Sequence, residues 1–516
     1  LDSRGIDARI ICLSGAVEAS VASGLADAVI DLSTTGATLK ANGLNAVEEI
    51  LSSNAVLIAN PKALEEKRGE ISEAVASFEN NPMVRRAWIS ELSQQEKAKL
   101  FNRGAAMANQ GVKNAVDEVF DAFEKNADDA LVFYTKKFDG VLIEKNGFEV
   151  PKEEIAQAYS LIDAKLVEAL KASAKNISEF AQKEISGRAD GFESKTDYGV
   201  VGKKVVAMDC AGVYAPGGSA TYPSSVLMGA IAARTAGVKK IVLCTPPNKE
   251  GKVSPAVLVA ADIAGVNQVF SIGGAQAIAS MAFGTSVVPR ASKIVGPGNA
   301  FVAQAKLEAA SRGLCSIDSP AGPSEALVIA DEWANPAFVA SELLAQAEHS
   351  PDAAAVLVCT SEKLIGAVEL ELSKQLAGLE RKEIIRKSLC QNGVFLVAEG
   401  IEQAIEFSNQ YASEHLILCV KNPDGYLDKI TNAGAVFLGE YSTIVAGDYA
   451  AGPNHVLPTG GLARSYSGLS ARDFLREMNY VKLDKAGLQK LSGTITTIAQ
   501  AEGLSAHANA VKKRFE

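Results

Sequence analysis

From about residue 200 the chain alternates short, uninterrupted apolar runs with stretches of helical period. KIVLCTPP, QVFSIGG, KIVGPG, EALVIAD, AAVLVCT, GVFLVA, HLILCV and GAVFLG are the runs, starting at Lys240, Gln268, Lys293, Glu325, Ala354, Gly393, His415 and Gly434. Apolar runs bounded by Gly and Pro describe strands buried on both faces, hence parallel sheets covered by helices. The fold class expected is α/β, with two doubly wound, Rossmann-like sheets over about 201–325 and 326–460. Residues 84–200 read as helical and charged, as in EKAKLFNRGAAMANQGVKNAVDEVFDAFEKN, and 461–516 return to helix. Ahead of these, residues 1–80 form a small α/β block in which ARIICLSG and ADAVIDL read as strands, and NAVEEILSS and PKALEEKRGEISEAVASFEN as helices. Asn80, Asn81 and Pro82 mark its end.

The chain has 516 residues, too many for one core. With 47% hydrophobic and 22% charged residues it has the make-up of a soluble globular protein, and its formal charge of -10 argues against nucleic acid as a partner. No apolar run reaches the ~18 residues of a membrane span, and no signal peptide is expected. The chain starts at Leu1 rather than Met. Its seven cysteines are scattered without a C-x-x-C pair, and Cys12, Cys210, Cys244, Cys359 and Cys419 fall at apolar positions. That disfavours disulfides and zinc–cysteine sites and suits a reducing, cytoplasmic setting.

Four histidines carry the candidate chemistry: His349 in AQAEHSP, His415 in SEHLIL, His455 in GPNHVLP and His507 in LSAHANA. Asn335 and Pro336 read as the cap and first position of a helix running to His349, which places Gln346 and His349 on one face of its last turn, a workable spacing for two metal ligands. A histidine near the negative end of a helix dipole has a structural reading as well. Glu414 and His415 offer a carboxylate beside a titratable base, at the amino end of a strand, where doubly wound folds less often bind ligands. Asp448 and His455 lie in the Gly- and Pro-rich stretch AGDYAAGPNHVLPTGG, read as a long functional loop. A Gln, His, Asp, His set would suit zinc, though residue chemistry leaves a metal site and structural histidines both open.

Three strand–Gly–helix turns, in GVYAPGGSATYPSSVLMGA, SIGGAQAIASMAFGT and KIVGPGNAFVAQAK, could each present backbone N–H groups to a phosphate. None has G-x-G-x-x-G or P-loop spacing, and tight βα turns account for them equally well.

Taken together, VYAPGGSATYPSSVLM, GGAQAIASMAFGT, KIVGPGNAFV, DSPAGPSEALVIAD, LLAQAEHSPD, SNQYASEHLIL, AGDYAAGPNHVLPT and AEGLSAHANAV resemble the histidinol dehydrogenase family over about residues 84–516. The resemblance implies oxidation of L-histidinol to L-histidine through L-histidinaldehyde with two NAD. It places Gln346, His349, Asp448 and His507 at zinc ligand positions and Glu414 and His415 at the catalytic pair. Ser324, His455 and Glu502 fall at substrate contacts, joined there by the catalytic His415 and the zinc ligands. Tyr214, Gln276 and Asn299 fall at NAD contacts. It further implies a homodimer in which Glu502 and His507 complete the neighbour's site. The alternatives are a non-catalytic metal- or nucleotide-binding relative, and an aldehyde dehydrogenase with a cysteine nucleophile.

The first eighty residues resemble instead the C-terminal part of ATP phosphoribosyltransferase. Asp31, Thr35, Gly36, Thr38 and Leu39 match that family's phosphate-gripping D-x-x-x-T-G-x-T-L loop, while Ser33 and Thr34 stand where Val-Ser is more usual. With the preceding part of that enzyme absent, transferase activity is not expected. The segment reads as a truncated fusion or as a fragment translated with its downstream neighbour.

Overall fold

The computed structural model describes residues 84–103, 110–187, 191–217 and 221–516, all within one compact unit, Ala74–Glu516. The elements expected in residues 1–80, Cys12 and the Asp31–Leu39 loop lie outside the described residues.

Two parallel sheets organise the fold. The first is built from β4 (Cys210–Tyr214), β5 (Lys240–Thr245), β6 (Gln268–Ser271), β7 (Lys293–Val295) and β8 (Ser316–Ile317), in the order β6-β5-β4-β7-β8. The second takes β9 (Glu325–Ala330), β10 (Ala354–Cys359), β11 (Val394–Val397), β12 (His415–Cys419) and β13 (Ala435–Leu438), with β1 (Arg85–Trp88) added at one edge, in the order β1-β11-β10-β9-β12-β13. Every pairing within these two sheets is parallel. All eight apolar runs read from the sequence are strands. Helices cover both faces of each sheet, so that β4, β9 and β12 are buried at every position.

The regions read as helical also contribute strands. β1, with sequence RRAW, is a short charged strand beside β11. β2 (Phe192–Thr196), β3 (Gly199–Ala207) and β14 (Leu475–Lys482) form a separate antiparallel sheet in the order β14-β3-β2, with β14 paired to β3 over eight positions. All but the first residue of β14 are exposed, so it carries no apolar stripe of the kind that marks a strand in sequence.

Position in the second sheet decides where the chemistry collects. β9 is central, flanked by β10 and β12, and Ser324 and Glu414 immediately precede β9 and β12. Helix Pro336–Ala347, which follows β9, runs back along the sheet and brings its carboxyl end to the amino ends of the strands. Leu327, fully buried in β9, anchors this arrangement. Leu327→Ala is expected to lower stability by about 2–5 kcal/mol through the cavity it leaves, measured by denaturant unfolding.

Candidate active site

Glu414 Oε2 accepts two hydrogen bonds at the amino ends of β9 and β12, one from Ser324 Oγ at 2.7 Å and one from Glu325 N at 2.8 Å. The turn before it is unusual. Ala412, with φ of 53°, is the one non-glycine among the described residues in the left-handed region, a conformation costing about 1–2 kcal/mol. This turn ends helix Ile401–Tyr411 and delivers Ser413, Glu414 and His415 into the interior. Glu414 is 7% exposed and His415 2%, which excludes a solvated strand entrance for the pair.

His415 lies between two carboxylates, Nδ1 at 3.7 Å from Glu414 Oε2 and Nε2 at 3.6 Å from Asp448 Oδ1. Both distances are too long for hydrogen bonds, and neither ring nitrogen has another partner. Burial alone would lower the His415 pKa, but Glu414 and Asp448 outweigh it and raise it. Burial raises the Glu414 carboxyl too, against the opposing pull of His415, Ser324 and the Glu325 N–H. A buried acid and base that both hold protons more tightly than usual form a pair suited to moving one proton at a time.

Asp448 lies in the short helix Ile444–Tyr449 rather than in the open loop expected from the sequence. The helix forms because Glu342 Oε2 accepts from Ile444 N at 3.0 Å, satisfying a terminal donor that Thr443 leaves uncapped. Glu342 and Gln346 are four apart on one helix face, so this bond also sets Asp448 relative to Gln346. Burial opposes ionisation of Asp448, but His415, His455 and His349 outweigh it and hold its carboxyl below the ordinary value. His455 Nδ1 donates to the Asp448 carbonyl at 2.8 Å, which leaves Nε2 as an acceptor, and Ser225 Oγ donates to it over a long 3.4 Å. Burial lowers the His455 pKa, which favours the neutral ring.

Helix Pro336–Ala347 begins as expected, with Asn335 accepting from Ala337 N, but it ends at Ala347. His349 therefore sits in an exposed bend two residues beyond the helix, its Nδ1 3.2 Å from Gln346 O, and not in the last turn. Pro351 disfavours helical backbone at Ser350 and helps end the helix early. Gln346 is fully buried: its Nε2 donates to Ser324 Oγ at 3.0 Å, and its Oε1 faces no partner. Glu502 and His507 are exposed, at the end of helix Lys485–Ala501 and within helix Ser505–Lys512. No hydrogen bond or ion pair joins them to the cluster, and no group of three His, Cys, Asp or Glu side chains among the described residues is arranged to hold a metal by itself.

The proposed cofactor residues lie at the opposite edge of the other sheet. Tyr214 ends β4, Gln276 is in the first turn of helix Gly274–Phe283 after β6, and Asn299 caps helix Ala300–Ser311 after β7. Two of the three Gly-rich turns spend their N–H groups internally. Gly273 N donates to Asp139 Oδ2 and Gly274 N to Tyr214 Oη, while Asn299 Oδ1 accepts from Phe301 N and Val302 N. At both turns these four N–H groups are held within the chain, as in a tight βα turn, and are not offered to a ligand. The His455 segment bridges the two sheets, because Ser225 lies in the first helix after β4 and Asn454 Nδ2 donates to Met228 O at 2.9 Å.

Several site residues have no sequence signal of their own. Ser225, in TYPSSVLM, has no spacing or neighbour that marks it out. Arg103 binds Glu325 through two contacts of 2.7 Å and stacks 3.4 Å over the Tyr411 ring, yet it lies 222 positions from Glu325. The cysteines take no part: burial raises the thiol pKa of all six in the described residues, to about 11 for Cys315 and Cys359 and about 12 for Cys419. An activated cysteine nucleophile is absent from this set.

An α/β enzyme with an acid–base centre between the ends of two parallel sheets is the class defined by this geometry. The histidinol dehydrogenase family profile matches residues 102–515, and the ATP phosphoribosyltransferase profile matches residues 1–80. The histidinol dehydrogenase of Methanosarcina mazei is 45% identical over 427 residues, 83% of this chain and 97% of that protein. That of Clostridium acetobutylicum is 47% identical over 413 residues, 79% of this chain and 94% of that one. The crystal structure of histidinol dehydrogenase from Elizabethkingia anophelis superposes with a TM-score of 0.77 at 41% identity, covering 84% of this chain and 98% of that one. The chain belongs to the histidinol dehydrogenase family and is an oxidoreductase.

Arg103→Met strands the Glu325 carboxylate, buried and unpaired, next to Glu414. The expected cost is about 3–5 kcal/mol, read as a lowered denaturant midpoint with the slope unchanged.

Proposed function

We propose that the chain carries out the last steps of histidine biosynthesis, oxidising L-histidinol to L-histidine through L-histidinaldehyde with two NAD and one Zn2+. Family membership supports the reaction. The observation that carries the site assignment is the buried, unpartnered Gln346 Oε1, in one network with the Glu414–His415 pair, Asp448 and His349. An orphaned buried carbonyl oxygen, a carboxylate held ionised and an accessible imidazole are the oxygen and nitrogen donors a borderline divalent metal takes. The residues therefore fit the metal, with Gln346, His349 and Asp448 from one chain and His507 from a second. Once bound, zinc supplies a template and a Lewis acid for the substrate's amine and imidazole.

The chain's own groups account for the proton steps. His415 takes the hydroxyl proton as hydride leaves carbon for the nicotinamide, and Glu414 and Asp448 stabilise the imidazolium. In the second half Glu414 accepts a proton from the water adding to the aldehyde while Ser324 keeps its carboxylate aimed, and His415, its first proton released, takes a hydroxyl proton of the hydrate as the second hydride leaves carbon for the second NAD. His455, neutral with Nε2 the accepting nitrogen, exchanges its long contact with Ser225 Oγ for a hydrogen bond from the substrate, and Glu502 of the second chain reaches its far end. Tyr214, Gln276 and Asn299 position NAD. Six free cysteines in the described residues suit a reducing cytoplasm.

The first test is stoichiometry with zinc supplied. Two NADH per L-histidinol are expected by ultraviolet absorbance, and no NADH from folded, zinc-loaded protein would overturn the assignment. The second concerns the dimer. His349→Ala and His507→Ala should each lose activity, while co-expression should restore about a quarter of the wild-type rate, because half of randomly mixed dimers hold one intact site. Absence of any recovery in isolated mixed dimers would place His507 outside the neighbour's site.

A further inference from the structure

Helix Ala300–Ser311 buries a lysine, Lys306, with no exposed surface at all, against Asp318, which is 4% exposed. Both converge on one glycine. Asp318 Oδ2 accepts from Gly296 N at 2.8 Å, Lys306 Nζ donates to Gly296 O at 2.9 Å, and Lys306 Nζ lies 2.5 Å from Asp318 Oδ1. Gly296 follows β7 and opens the Gly296–Asn299 turn. Its φ is +125°, and a Cβ there would stand 2.1 Å from Tyr214 O, so the backbone passes hard against the end of β4. Asp318 follows β8 and begins the segment that reaches Ser324 six residues later. Along that segment Gly322 N donates to Thr459 Oγ1 at 2.5 Å, tying it to the His455 loop.

We infer that Lys306 and Asp318 are positioning residues that set the distance between the cofactor half-site and the substrate half-site. One carboxylate holds the turn that carries Asn299 and also fixes the start of the segment that carries Ser324. A buried ion pair is weak evidence for stability, since an apolar pair of similar volume often serves the fold as well. What an apolar pair cannot do is grip both the N–H and the C=O of Gly296. The inference rests on the proposed dehydrogenase reading: hydride transfer needs donor and acceptor carbons close to contact, and a misplacement of about 1 Å can cost on the order of a hundredfold in rate.

Two double variants test it in the full chain with zinc present. Lys306→Met with Asp318→Leu removes every anchor of Gly296, and Lys306→Met with Asp318→Asn returns an acceptor to its N–H. The first is expected to lower kcat at least thirtyfold while the separate dissociation constants for NAD and L-histidinol, and the unfolding midpoint, stay within about threefold and a few degrees of wild type. The second is expected to recover most of that loss. A first variant with kcat within twofold of wild type overturns the inference, as does a second that turns over no faster than the first, or parallel loss of binding and kcat. Should the first not fold, the second decides alone: kcat within about fivefold of wild type supports the anchor, and a larger loss overturns it. Failure of the wild-type chain to reduce NAD with L-histidinol would instead strike at the dehydrogenase reading.

Discussion

A single carboxylate oxygen, Glu414 Oε2, joins the two central strands where the chemistry collects. It takes a hydroxyl from Ser324 and a backbone N–H from Glu325, both at the entrance to β9, while Glu414 itself leads into β12. Adjacent parallel strands already fix the backbone spacing there. The two hydrogen bonds use that spacing to aim the carboxylate, and His415 follows by chain connectivity. Because Ser324 also accepts from Gln346, the same bond sets which face of the amide is left over. Since Nε2 is committed to Ser324, Oε1 must turn the other way, which is why the orphaned acceptor is a feature of the fold and not an arbitrary amide orientation.

Buried charge is concentrated at strand ends of both parallel sheets. Arg103 with Glu325, Lys306 with Asp318, and His415 between Glu414 and Asp448 are each expensive to desolvate. In each case the pair also fixes geometry, since its members hold backbone groups or a neighbouring acid in place. Arg103 neutralises the acid whose backbone N–H holds Glu414, and so limits how far Glu325 adds to the raised Glu414 pKa. Glu342 has no ion-pair partner among the described residues: it satisfies the first donor of the Asp448 helix, and the price of burying it is offset by a helix terminus that would otherwise be bare.

Legibility in the sequence followed burial on both faces. The eight apolar runs became strands because nothing polar interrupts them, and Asn335-Pro336 opened a helix because cap and first-turn chemistry is local. β1 and β14 escaped notice because an edge strand rich in Arg, Glu and Lys has no apolar stripe to read. The Gln346 helix ends at Ala347, two residues short of His349 where its periodicity points, because Pro351 acts from beyond the apolar pattern. Arg103 and Glu325 could not have been paired at all: their contact spans 222 positions and follows no local rule. The site sits at the amino edge of its sheet, contrary to the usual preference of doubly wound folds, because the returning helix and the Asp448 helix place their polar groups at that edge and the other sheet supplies the facing wall.

That facing wall also bears on how a dinucleotide would be held. In strand–Gly–helix folds the grip on pyrophosphate comes largely from free N–H groups at a helix start. Here Asp139 and Tyr214 Oη take two of them at one turn, and Asn299 takes two at another, with Asp318 taking the Gly296 N–H ahead of it. Each closure makes the turn rigid and at the same time removes donors from a ligand. What these turns offer a ligand is therefore more side chain and shape than phosphate nest.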